Sequence, residues 1–257
     1  MGVVAALLDA RAATATLRRT LPPGHLTVHA CRHGKQLARV LETRLLDAVV
    51  VGSRATRRLD LTPLRNRYPA VPLVVFGAFR PDEGDRLFEL AEEIDAEAIL
   101  VEGLDDPVLG DTVARECLTS RRARALRDGP RLLRLTEPLQ RSAWDLLVRT
   151  TGGAATTRAL AARLKVSREH LSRQFGAGGA PNLKRVIDLL QVVAARELLA
   201  NPGHSPAGAA RLLSYSSASH LRAVARRVVR LPLSDLARTS VAELLRRFVG
   251  GGMRCRA

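Results

Sequence analysis

The sequence predicts a chain in two parts: an α/β half built on a five-stranded parallel sheet, then an all-α half carrying two helix-turn-helix units. Three observations support this. Short apolar runs alternate five times with helical stretches over roughly the first 125 residues, the pattern of a parallel sheet covered on both faces. Between Thr157 and Leu236 one capped-helix pattern occurs twice. Charge is also segregated: residues 1–110 hold 14 Lys/Arg against 15 Asp/Glu, whereas residues 111–257 hold 27 against 10. The formal charge of +16 therefore sits in the helical half, as expected of a polyanion-binding module beside a neutral one.

In the first half, Val3–Leu8 reads as a strand and 11–20 as a helix, broken by Pro22-Pro23-Gly24. His25–Cys31 alternates and reads as a second strand. Gln36–Arg44 is helical, Asp47–Val51 is a third, buried strand, and Leu61–Tyr68 is helix or turn. Val71–Phe76 is a fourth strand, Asp82–Asp95 an acidic helix, Ala98–Val101 a fifth strand, and Pro107–Arg127 one long closing helix. Asp128-Gly129-Pro130 interrupts the pattern. The expected domains are 1–125 and 138–250, with a linker over 126–137. Arg121, Arg122 and Arg124, at the end of the long helix, complement its dipole and are candidates to touch phosphate.

In the second half, Arg141–Val148 forms a first helix, with Trp144, Leu147 and Val148 as core. Leu160 and Leu164 share a helical face, and Ala161 lets another helix cross closely. Lys165 and Val166 fill a turn, and Ser167 is a good N-cap. Leu171 and Phe175 form the next buried stripe, leaving Arg168, Glu169, His170, Ser172 and Arg173 outside. Leu183, Val186, Ile187, Leu190, Ala194 and Leu198 follow helical spacing and make a connecting helix. Ser205-Pro206 opens the second unit with a cap and a proline at the first helical position. Ala210, Leu213, Tyr215 and Leu221 echo Ala161, Leu164, Val166 and Leu171. Ser217 caps the second reader, which offers Ser219, His220 and Arg222. His204 reads as plain surface, Val241–Val249 as a last amphipathic helix, and Gly250-Gly251-Gly252 with the basic tail as mobile.

SREHLSRQF, then AARELL, then SPAGAARLLSYSSASHL, in that order and spacing, resembles the DNA-binding domain of the AraC/XylS family of transcription regulators. The resemblance runs from near Gln140 to Leu236. It implies two readers that enter successive major grooves on one face of the duplex. This sequence departs from the family pattern at Ser214-Tyr215, where Gly-Phe is usual, and at Lys165 and Arg230, where glycine is usual. Ala225 stands in place of an aromatic residue.

The order and spacing of the first half resemble the receiver domain of response regulators. That family's chemistry requires a phosphoacceptor aspartate after the third strand, where Gly52 stands. A hydroxyl is required after the fourth, where Gly77 stands, and a lysine after the fifth, where Glu102 stands. The acidic pair after the first strand is reduced to Asp9. Without these groups neither Mg²⁺ nor a phosphoryl group is well held. The expectation is a receiver-like domain that has lost phosphotransfer and serves dimerisation, partner contact or another input.

Cys31, Cys117 and Cys255 are odd in number and widely spaced, which suits a reducing cytosol. The N-terminus matches neither a signal peptide nor a myristoylation site, and no apolar stretch is long enough to span a membrane. His25, His29, Cys31 and His33 would share a face if the strand continued. Imidazole and thiolate suit Zn²⁺ or copper, but residues two apart on one strand diverge, and an exposed edge strand is the simpler reading. The acidic residues of 82–93 read as a solvated helix face.

The expected function is a cytoplasmic, non-enzymatic, sequence-specific regulator that binds double-stranded DNA, needs no cofactor or metal, and can form a homodimer. Arg168, His170, Ser172 and Arg173 are the candidate contacts in the first groove. Ser217, Ser219, His220 and Arg222 are the candidates in the second. The alternatives are a phosphorylation-responsive regulator, a non-specific DNA-binding protein, and an enzyme or metal protein centred on the histidine strand. No effector pocket can be read from the first half.

Overall fold

The computed structural model describes residues 2–24, 26–57, 59–79, 84–150 and 156–251. The chain divides into two compact units, Met1–Arg121 with Asn201–Gly203, and Arg122–Ala200 with His204–Ala257.

The first unit runs β1 (Gly2–Leu7), α1 (Arg11–Thr20), β2 (Leu26–Ala30), α2 (Gly34–Thr43), β3 (Ala48–Val51), α3 (Thr62–Arg67), β4 (Leu73–Gly77), α4 (Gly84–Glu93), β5 (Ala98–Val101) and α5 (Asp106–Glu116). All four strand pairings are parallel, in the order β2-β1-β3-β4-β5, the flavodoxin-like order of a receiver-like domain. Alternate residues feed two cores, which is why β3 reads as a continuous apolar run. Val49 and Val51 pack with Leu37, Leu41, Leu90 and Ile94. Ala48 and Val50 pack with Leu17, Leu109 and Val113. Helix α1 lies so close to α5 that a Cβ on Gly110 would overlap the Thr20 carbonyl.

The expected single helix over Pro107–Arg127 is two helices. Cys117 is extended (φ −61°, ψ 154°) and separates α5 from α6 (Leu118–Ala125). Asp47 explains the break. Its backbone carbonyl accepts Leu118 N–H at 2.9 Å. Its carboxylate accepts Thr119 N–H and Oγ1 at 3.2 and 2.5 Å, and Val3 N–H at 3.0 Å. The orphan donors at the start of α6 are thus satisfied by a buried acid. The acidic helix begins at Gly84, and Asp82 and Glu83 lie outside the described residues, as does the side chain of Asp85.

The division between units falls inside α6. The second unit continues with α7 (Gly129–Leu132), α8 (Pro138–Arg149), α9 (Thr157–Arg163), α10 (Arg168–Phe175), α11 (Leu183–Leu199), α12 (Pro206–Leu212), α13 (Ala218–Val229), α14 (Leu233–Leu236) and α15 (Val241–Gly250). Residues 126–137, expected as a linker, are folded into this unit. Leu126, Leu133 and Leu135 are buried, and Gly129 packs so tightly on Trp144 that a Cβ there would overlap the indole ring. Helix α11 is the hub, packing against α8, α12, α13, α14 and α15. Val186, Ile187, Leu189, Leu190, Val192 and Val193 are each at most 3% exposed; a helix apolar nearly all round belongs at a core. Each such side chain contributes about 1.5–3 kcal/mol of burial.

Of the three arginines expected near the linker, Arg122 is buried and makes a two-armed ion pair with Glu197 of α11. A third bond joins its Nη1 to the Val148 carbonyl at 3.1 Å. Arg121 pairs with Glu97 at 2.8 Å and Glu116 at 3.5 Å. Both side chains are engaged within the fold, and the buried Arg122 guanidinium requires its pairing.

Candidate nucleic-acid interface

The first helix-turn-helix is α9 and α10. Thr156 caps α9 by accepting Ala159 N–H, and Ser167 caps α10 by accepting His170 N–H, both at 3.1 Å. Leu160, Ala161, Leu171 and Phe175 are buried between them. The turn passes through Lys165 at φ 56°, the left-handed region that favours glycine. Gln140 of α8, fully buried, holds the far end of α10. Its Nε2 donates to the carbonyls of Gln174, Phe175 and Ala177 at 3.2, 2.9 and 3.0 Å. Its Oε1 accepts Glu137 N–H at 3.0 Å. One amide therefore closes the start of α8 and satisfies the orphan carbonyls at the end of the reader.

With Leu171 and Phe175 inward, helical spacing places Glu169 and Arg173 opposite the core. Arg168 and Ser172 fall on one flank, and His170 and Gln174 on the other. Arg168, Ser172 and Arg173 are exposed, and His170 is half-buried.

The second unit is α12 and α13. Ser205 caps α12 through Gly208 N–H, and Ser217 caps α13 through His220 N–H, again at 3.1 Å. Leu221, Val224, Ala225, Val228 and Val229 are buried. Ser219, His220 and Arg222 are exposed, with Arg226 also outward. Tyr215 donates to Gln191 Oε1 of α11 at 3.1 Å. Burial raises its phenol pKa, the Asp188 carboxylate raises it further, and Arg227 partly offsets this, so the hydroxyl stays a donor. His220 stands edge-on to the Tyr215 ring, centroids 5.3 Å apart, with Nδ1 3.1 Å from Ser216 Oγ. Its ring is held on two sides before any ligand arrives.

The two readers border a common groove. Arg168 and Ser172 of α10, Lys184, Arg185 and Asp188 of α11, and Arg227 of α13 line it. The sequence pattern did not single out the last four, because nothing in helical periodicity marks which polar residues of a connecting helix face a cleft.

One further expectation changes. His204 is 8% exposed, not surface. Along the histidine strand, the described residues Cys31 and His33 do not share one face. His25 lies outside the described residues, and β2 ends at Ala30. Cys31 turns into the core, where burial pushes its thiol up to about 11. His33 caps α2, Nδ1 accepting Gln36 N–H at 3.2 Å. Strand β2 is an edge strand of the sheet. No group of three or more His, Cys, Asp or Glu placed to hold a metal occurs among the described residues. Cys255 and the tail from Gly252 also lie outside them.

In the first unit, the Asp9 carboxylate reaches across to the β3–α3 loop and accepts Ala55 N–H at 2.6 Å. A Cβ on Gly52 would overlap that carboxylate. The Asp9 carboxylate thus lies where a side chain at Gly52 would begin.

Residues 160–239 match the profile of a helix-turn-helix domain of AraC type. That match assigns this region to DNA binding and transcription regulation. Comparison with curated proteins finds no match. Among solved structures the chain is similar to full-length FixJ from B. japonicum, at 13% identity and a TM-score of 0.37, over 90% of this chain and 98% of that one. No helix among the described residues is long and apolar enough to cross a membrane.

Proposed function

We propose that this chain is a sequence-specific regulator of transcription in the cytoplasm, reading duplex DNA with α10 and α13 in successive major grooves. The observation that carries the reading is the pair of capped, cationic helices bordering one groove and tied to one connecting helix. Such a pair presents polar faces to base edges while the buried stripes fix their spacing. Arg168, His170, Ser172 and Arg173 serve the first groove, and Ser217, Ser219, His220 and Arg222 the second. Phosphate contacts supply most of the affinity. The receiver-like unit acts by pairing and not by phosphotransfer; the Asp9 carboxylate, lying where a side chain at Gly52 would begin, supports this.

Arg173, opposite the buried stripe, is the first base reader. Selection from a random duplex pool will define the preferred site. On that site Arg173→Ala should weaken binding by about 1–3 kcal/mol and relax the preference at one position. An Arg173→Ala footprint with unchanged affinity and preference would remove α10 as a reader.

A further inference from the structure

The groove between the readers has a volume of about 570 Å³. In its lining the Asp188 side chain is 6% exposed. Lys184 Nζ lies 2.6 Å from one of its oxygens, and Arg227 Nη2 2.9 Å from the other. A buried carboxylate needs a counter-charge, but one cation would supply it. Here two close on it from different helices, and Arg168 and Arg185 line the same groove. The side chains of Lys184 and Arg227 remain 72% and 64% exposed, so the excess positive charge faces solvent. A concave site with surplus cations concentrates anions.

We infer that this groove holds a backbone phosphate of the bound duplex, on the stretch between the two major grooves. The inference rests on the DNA-reading function proposed above and assigns a second kind of contact to the same face. Asp188 is a positioning residue: it fixes a lysine of the connecting helix and an arginine of the second reader at one point. Lys184, a compact charge with three donors, and Arg227, a planar fork, then meet the phosphate oxygens together. Within the first-groove set, Arg168 and Ser172, on the flank of α10 that lines the groove, supply the backbone contact, and Arg173, opposite the buried stripe, supplies base contact.

The test is Lys184→Gln in the full chain, which removes a mostly exposed charge and leaves the core intact. Affinity is measured across a salt series on the selected duplex and on a random-sequence duplex. The salt slope should fall by about one. Affinity should drop by the same factor on both duplexes, leaving their ratio unchanged. Arg173→Ala should instead change the ratio. Arg18→Gln, in the first unit, should leave slope and ratio as in the wild type. An unchanged slope in Lys184→Gln overturns the inference, and so does a change confined to the ratio. Inorganic phosphate alone is titrated against both proteins. Saturable binding that is lost in Lys184→Gln while the DNA slope holds would assign the groove to free phosphate, overturning the duplex as its source. A wild-type chain that binds no duplex would remove the underlying DNA reading, a result distinct from any of these.

Discussion

Lys165, Ser214 and Arg230 have φ of 56°, 60° and 59°. All three stand where the family resemblance expects a turn built on glycine. A side chain in the left-handed region costs about 1–2 kcal/mol. Replacing it by glycine returns part of that gain through unfolded-chain entropy, about 0.4–1 kcal/mol. Ser214→Gly and Lys165→Gly should therefore stabilise the protein by roughly 0.5–1 kcal/mol, on the difference between those two terms. Arg230→Gly should gain less, because Arg230 Nη2 donates to the Gly251 carbonyl at 2.8 Å and that bond would be lost. Urea unfolding of the three variants gives the ranking. A destabilised Ser214→Gly would show that the turn is held by its side chain and not strained by it. The three positions stood out as departures from glycine, but their retained positive φ did not follow from that, and the hydrogen bond that rewards arginine at 230 joins residues far apart in sequence.

Elements were legible wherever their pattern was internal to them. The five strands, the two capped readers and the connecting helix stand as periodicity and capping residues placed them. The errors share another physical origin. The helix break at Cys117 depends on Asp47, and the burial of Arg122 on Glu197; each is a partner more than sixty residues away. Gln140 is the clearest case at the site, since its three acceptors lie at 174–177 and no spacing in α8 announces them. Gln140→Ala would strip those carbonyls of their donor inside a dry site, a loss of about 1–3 kcal/mol. The far end of α10 would loosen while α13 kept its own ties to α11. Footprinting should show weakened protection in the first groove alone, with a lower Tm. Equal protection of both grooves at an unchanged Tm would show that Gln140 does not position the reader.

At the scale of the whole molecule, the proposed loss of phosphotransfer leaves the receiver-like unit another task. Its exposed large apolar side chains point to the task. Phe79, Phe88, Ile99, Leu104 and Val108, the exposed large hydrophobics among the described residues, all lie between the end of β4 and α5. Phe79 and Phe88 stack edge to face, centroids 6.2 Å apart. Exposed apolar side chains concentrated in one stretch of the chain suit an interaction face, and a second copy of the chain is its proposed occupant. Isologous pairing lets one apolar patch cover its own equivalent, and two copies would place four readers on one stretch of DNA. Sedimentation of the full chain should then show a dimer. Leu104→Asp, at a residue 75% exposed, should shift it towards monomer with the fold retained, because nothing in the core moves. Acetyl phosphate should neither label the chain nor change the dimer fraction, since the Asp9 carboxylate lies where a side chain at Gly52 would begin. A wild-type monomer at micromolar concentration would refute pairing through this face, and hydroxylamine-labile label on the chain would restore phosphotransfer as the input.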